Sequence, residues 1–163
     1  MSQKRCLLLL VASLTIALAG EPQAAEKLTA AGALKILDLG TTTTPIFGFD
    51  FSALAIADFS GGSGGGAGGK TTFNAIGITR ISDAISVDLF ETIAKGQHLK
   101  RVEIAIFTPG TTTVDATYGL SDAVITSLKS GPGTEFVAFS YAQIDITSGG
   151  KTFCFNTLTN AEC

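Results

Sequence analysis

Gly64, Gly69, Lys70 and Thr71 stand at the spacing G-x-x-x-x-G-K-T, the pattern that in a phosphate-binding loop lets main-chain N–H groups cradle a nucleotide while the lysine reaches its outer charges. That chemistry also needs a helix starting at the lysine, so that its N-terminus faces the anion. Here the segment is saturated with glycine, which supplies both required glycines by composition alone. Lys70 is followed by Thr-Thr-Phe and then by Gly77, which reads as a strand. The segment is therefore a connecting loop, and no cofactor is expected. His98 is the only histidine and follows directly on a helix stop, so it reads as a turn or packing residue rather than a general base. No serine sits in a nucleophile-elbow pattern, and Asp83, Asp88 and Glu91 gather around one predicted helix as capping and solubilising charges. The threonine runs at 41–44 and 111–113 read as polar turns, although threonine arrays also line carbohydrate- or ice-facing surfaces. The residues point away from an enzyme.

The remaining chemistry is that of sulfur. Lys4 and Arg5 precede an apolar run over residues 6–19, followed by Gly20-Glu21-Pro22-Gln23, the layout of a secretory signal peptide. The run is shorter than the roughly 20 residues a helix needs to cross a bilayer. Cleavage is expected after Ala25, with Ala19 as the competing point, and no membrane attachment is expected afterwards. Export places the protein in the periplasm or outside the cell, where disulfides persist. Removal of residues 1–25 leaves 138 residues with two cysteines, Cys154 and Cys163. They are expected to bridge and close the C-terminal tail, with cross-linking between subunits as the alternative. A zinc site needs four ligands, which two cysteines and one histidine do not supply.

The whole chain carries a net charge of −3, and cleavage, by removing Lys4, Arg5 and Glu21, makes it one unit more negative. Nothing in that balance recruits nucleic acid. Few charges, 19 glycines, no tryptophan and recurrent alternation of Thr, Ile, Val and Phe indicate strands joined by turns. The expected strands cover residues 33–39, 46–59 with Phe47, Phe49 and Phe51 on one face, 70–81, 101–108, 113–128 with a bulge near Gly119, and 134–147. Residues 151–156 offer one more. In the fourth, Val102, Ile104 and Ile106 point one way and Arg101 and Glu103 the other. The first half of the strand at 134–147 is apolar on both faces, which calls for a helix or a neighbouring subunit on its outer side. One helix is expected near residues 85–95, from Ile85, Leu89 and Ile93 with Phe90 and Ala94 extending the stripe, Asp88, Glu91, Thr92 and Lys95 opposite, Ser86 as cap and Gly96 as stop.

Several stretches in this order carry a family resemblance. They are Lys70-Thr71-Thr72-Phe73 after the glycine-rich loop, Ala94-Lys95-Gly96-Gln97-His98-Leu99-Lys100, residues 118–127 from Tyr118-Gly119-Leu120, and residues 135–146 from Glu135-Phe136-Val137. Across most of residues 33–150 the chain resembles the haemolysin-coregulated (Hcp) proteins of type VI secretion. The resemblance implies a mainly β fold, a small β-barrel or two-sheet antiparallel sandwich with one flanking α-helix. It also implies assembly with itself into hexameric rings that stack as tubes, and contact with a stacked neighbour through the loop containing Ser60, Gly64, Gly66 and Lys70. The sequence departs from that family in its signal segment, in a short connection at residues 40–45, in phenylalanines where the second strand often carries tryptophan, and in an added tail at 151–163. The domain reading is therefore a signal peptide at 1–25, a barrel domain at 26–150 and a C-terminal extension at 151–163. The functional expectation is an exported, non-enzymatic structural protein, with secretion-system or cell-surface proteins as further partners. The alternative is a secreted monomeric binding or adhesion domain that keeps the fold without the assembly.

Overall fold

The computed structural model describes residues 29–40, 42–55 and 71–163. The signal segment and the loop candidates Ser60, Gly64, Gly66 and Lys70 lie outside the described residues.

The strands are β1 (Gly32–Ile36), β2 (Thr43–Asp50), β3 (Ala53–Ala55), β4 (Thr71–Phe73), β5 (Ile76–Ile81), β6 (Leu99–Phe107), β7 (Val114–Ser130), β8 (Thr134–Ser148), β9 (Lys151–Asn156) and β10 (Ala161–Glu162). A 3-10 turn, Leu37–Leu39, follows β1, and the helix α1 (Ile85–Lys95) joins β5 to β6. Strands β8, β5, β2, β1, β6 and β7 pair in that order, and β7 pairs back onto β8, so the wall is a closed six-stranded barrel. Strand β7 pairs with β6 from Val114 to Ala123 and with β8 from Ala116 to Ser130, and a barrel this small is filled by its own side chains. Leu34, Ile46, Ile76, Ile78, Val102, Ile104, Leu120, Val137, Phe139 and Ile144 fill it, all essentially without solvent contact. Burial of each such side chain contributes about 1.5–3 kcal/mol.

Strand β8 serves two neighbourhoods. Its first half pairs with β5 from Thr134 to Phe139, and its second half pairs with β9 from Gln143 to Ser148, while β7 runs along its other side throughout. Where the neighbour changes, both β7 and β8 change face. Leu120 and Ile144 are an inward pair and so are Ala123 and Tyr141, a spacing of three on each strand. Asp122 takes the left-handed conformation there, φ 50°, which an Asp tolerates better than most residues. The break in alternation thus falls at Asp122 rather than at Gly119, and the β7–β8 register shifts between Ile125 and Ser127.

The strand expected over 46–59 is also interrupted. A register shift between Ile46 and Gly48 lets Phe49, paired with Ile78, follow Ile46 onto the inner face. Phe49 and Phe51 both pack on Tyr118, with ring centroids 4.8 and 5.5 Å away. Phe47 falls at the shift and does not join them, so the three rings do not share one face. The strand expected over 70–81 likewise splits at Asn74 and Ala75 into β4 and β5.

The apolar outer side of β8's first half is partly covered within the chain, with Phe136 half-buried. The Phe136 ring lies across Gly77 on β5, where a Cβ would meet its atoms at 2.7 Å. Lys129 sits 5.8 Å above the same ring, and Ala138 is buried.

Helix α1 ends on Gly96 in the left-handed conformation, φ 60°, as its sequence requires. Its start differs from expectation. Ala84 is the cap residue and makes no side-chain bond, while Ile85 N–H donates to Asp83 and Asp83 N–H donates to Ser86 Oγ. The buried stripe is Ser86, Leu89 and Thr92, flanked by half-buried Ile85 and Ile93, so Phe90 and Ala94 turn outward. Serine and threonine are small enough to let the helix backbone approach the barrel closely.

Candidate functional site

Two outward features of the barrel stand out: a charge-lined trough in its wall and a ribbon that leaves it. The trough follows from strand alternation, because every residue between two inward ones must face out. Thr43, Lys35, Glu103, Gly119 and Asp145 form one cross-strand row over β2, β1, β6, β7 and β8. Ala33, Ala105, Thr117 and Thr147 form the next. Together with Arg101 they line a depression of about 390 Å³.

Its charges alternate. Arg101 Nη1 lies 2.6 Å from Asp145 Oδ2 and 3.1 Å from Ser121 Oγ, Arg101 Nε lies 4.0 Å from Glu103, and Lys35 Nζ lies 3.8 Å from Glu103. The Arg101 guanidinium reaches Asp145 by crossing Gly119, where a Cβ would sit 1.9 Å from Nη2. Two cations matched to two carboxylates give the trough no net charge to draw in an ion. Its threonines and paired charges sit among Ala33, Ala105 and Gly119, so the trough presents a mixed polar and apolar surface.

The ribbon consists of β3 and β4, an antiparallel pair separate from the barrel sheet. Its root is held in two ways. Asn74 N–H donates to Ser52 O at 2.9 Å, and Asn74 Nδ2 donates to Ser52 Oγ at 2.8 Å. Beside that tie, Phe73 lies 6.1 Å from Phe51, 4.7 Å from Phe155 and 6.4 Å from Phe153, centroid to centroid. Leu54 on β3 is 60% exposed.

Cys154 and Cys163 are joined, with Cα atoms 5.3 Å apart. The segment carrying them continues the barrel's own sheet, since β9 pairs with β8 and Phe155 belongs to the core. His98 sits on the surface with Nδ1 2.6 Å from Asp122 Oδ1. Glu91 pairs with Lys95 one helical turn on, and that partner holds its carboxyl below the usual range. Asp83 meets Arg80. Among the described residues no group of three metal-ligating side chains comes together.

Sequence reasoning missed Arg80 and Glu135, both fully buried, whose Nη1 and Oε1 are 2.5 Å apart across β5 and β8. The signal was there in parity: Arg80 follows Ile76 and Ile78 at spacing two, and Glu135 precedes Val137 and Phe139.

The family profile described as "Type VI secretion system effector, Hcp" matches residues 41–147. The chain belongs to the Hcp family. Solved structures agree with the Hcp fold. A type six secretion system protein superposes with a TM-score of 0.69 at 18% identity, covering 83% of this chain and 100% of its own. Hcp1 from Salmonella typhimurium gives 0.65 at 17% identity, with 83% and 100% covered. Secreted protein Hcp3 from Pseudomonas aeruginosa gives 0.59 at 19% identity, with 78% and 99% covered. No curated protein sequence matches the chain. The Hcp match stops just before the end of β8, so β9, β10 and the cysteine pair lie beyond it.

Proposed function

We propose that this protein is an exported, non-enzymatic structural subunit that assembles with copies of itself into rings, hexameric by family resemblance, or into stacked tubes or filaments linked to type VI secretion. The observation that carries the reading is the β3–β4 ribbon of an Hcp-family barrel. It leaves the closed wall, exposes Leu54, and continues in sequence into residues 56–70, where Ser60, Gly64, Gly66 and Lys70 are the candidate contacts to a stacked neighbour. A projecting ribbon with an exposed apolar side chain is an element available for contact with another copy. Negative-stain electron microscopy and light scattering of the purified protein test it. Rings or tubes are the expected result, and a strict monomer at high concentration overturns the reading. Export through residues 1–25 is tested by N-terminal sequencing of the protein recovered outside the cytoplasm, with Glu26 expected as the first residue.

A second reading, a secreted monomeric binding or adhesion domain, draws support from the outer side of β8. Of Phe136 and Ala138, which in sequence ask for a helix or a neighbouring subunit, Ala138 is buried and Phe136 half-buried within the chain itself. On that reading the charge-lined trough is the binding surface, and binding to glycans or surface proteins without higher-order particles is the discriminating result.

A further inference from the structure

Strand β10 contains only Ala161 and Glu162, paired with Asn156 and Phe155, and Cys163 N–H adds one bond of 3.3 Å to Cys154 O. So short a strand brings too few ladder bonds to offset the entropy of ordering its backbone. The turn before it is anchored by Thr157 on the Tyr141 and Ala142 carbonyls and by Asn156 Oδ1, which accepts from Leu158 and Thr159 N–H, and the Cys154–Cys163 bridge pins its far end to the outer edge of β9. That edge matters for what β9 carries on its other side. Phe153 and Phe155 flank Cys154 in sequence, and both rings approach Phe73, at 6.4 and 4.7 Å. Phe155 is engaged twice, its backbone by Glu162 and its ring by Phe73. Phe73 in turn lies 6.1 Å from Phe51, the residue that leads from β2 into the ribbon. A line of contacts therefore runs from the bridge to both strands of the ribbon root.

The geometry points to a redox-sensitive clamp: the Cys154–Cys163 disulfide, acting through Phe153 and Phe155, sets how firmly the root of the β3–β4 ribbon is held to the barrel. Cys163 is exposed and Cys154 is half-buried, so a reductant has access. A dithiol supplies two electrons and two protons. It converts the bridge to the Cys154 and Cys163 thiols and is itself oxidised to its disulfide. Released β10 frees the outer edge of β9, and the aromatic floor under Phe73 loosens. The consequence for ring or tube contacts rests on the assembly reading above, whereas the clamp is a property of the single chain.

Hydrogen–deuterium exchange on the purified protein, at a concentration where it is monomeric, tests the clamp. Oxidised protein is compared with dithiol-treated protein and with the Cys154→Ser/Cys163→Ser variant. Amides of Ala161 and Glu162, and those of Leu54, Thr72 and Phe73, are expected to exchange faster by about fivefold or more, with β6 unchanged. In oxidised protein, Phe73→Leu is expected to raise exchange at the same ribbon amides with the bridge intact, and reduction then adds little, since the two changes act on one coupled unit. The inference is overturned if reduction frees β10 and leaves Leu54, Thr72 and Phe73 unchanged. Loss of protection throughout the barrel, or free thiols in untreated protein, overturns it as well. A chain that shows the exchange change and forms no particle keeps the clamp and loses the assembly reading.

Discussion

The phenol of Tyr141, on β8, donates a 3.0 Å hydrogen bond to the main-chain carbonyl of Asn74, in the break between β4 and β5. Asn74 is the residue that ties to Ser52, so Tyr141 fixes the ribbon root from the barrel side while Phe73 fixes it from the other. Tyr141→Phe keeps the ring and removes the donor. The expected cost is about 1 kcal/mol, the net worth of one such bond. It is read as a lower urea midpoint with an unchanged slope.

Burial pushes the Tyr141 phenol well above its usual range, and burial followed by the nearby Asp115 carboxylate pushes Tyr118 up as well. Both groups then hold their protons longer in the folded chain than in the unfolded one. Their contribution is fully present below the unfolded value of 10.0 and is lost as pH rises past it, because the unfolded state releases protons first. Thermal melts across pH 8–12 are expected to fall off above about pH 10. The fall should be shallower in Tyr141→Phe and Tyr118→Phe, and an identical alkaline slope in those variants would contradict this.

Most of the architecture was legible from alternation and punctuation. Val102, Ile104 and Ile106 against Arg101 and Glu103, Gly96 at the helix stop, and Gly149-Gly150 before β9 all act where their chemistry says, because each is decided by local backbone or by one face of one strand. What was not legible depends on partners distant in sequence. The face change at Asp122 has its counterpart between Tyr141 and Ile144, and neither strand alone announces it. The doubly apolar first half of β8 asks in sequence for a helix or a neighbouring subunit, because the Gly77 notch that accepts Phe136 lies some 60 positions earlier. The trough is half legible, since alternation alone turns Arg101 and Glu103 outward. Its other charges, Lys35 and Asp145, join them only through strand pairing.

Arg80 and Glu135 are buried as a pair, with Arg80 Nη2 also 2.5 Å from Asp83 Oδ2 as an ion pair outside hydrogen-bond geometry, while Arg80 Nε, Arg80 Nη2 and Glu135 Oε2 have no hydrogen-bond partner among the described residues. Glu135→Leu leaves the guanidinium buried with Asp83 alone and is expected to cost about 3–5 kcal/mol. Arg80→Met together with Glu135→Leu is expected to recover most of that, since apolar replacement of a buried pair is close to neutral. Urea unfolding of the singles and the double reads the difference, and a double as unstable as either single would refute the account.

Gly77 and Gly119 both lie under a side chain of the next strand, yet alanine should affect them differently. At Gly77 the new Cβ meets the Phe136 ring at 2.7 Å, and the ring is boxed in by the sheet and Lys129. Gly77→Ala is expected to cost about 1–3 kcal/mol through overpacking. At Gly119 the obstacle is the end of the Arg101 side chain, which can swing into solvent. Gly119→Ala is expected to cost no more than about 1 kcal/mol, the worth of a partly exposed ion pair. A crystal structure of that variant should show Arg101 detached from Asp145.

The Cys154–Cys163 bridge closes a short loop, with the cysteines nine positions apart. Constraint of the unfolded chain by so small a loop is expected to contribute about 2–3 kcal/mol. Non-reducing mass spectrometry should find one intramolecular bridge. Dimer bands in its place would mean that the cysteines cross-link subunits, and free thiols would mean that neither bridge forms. Because β9 is also held by six residue pairs to β8, reduction should lower the melting temperature without unfolding the barrel at ambient temperature. A barrel that collapses on reduction would place the bridge in the fold's foundation, and the aromatic floor at Phe153 and Phe155 could then no longer be adjusted separately from it.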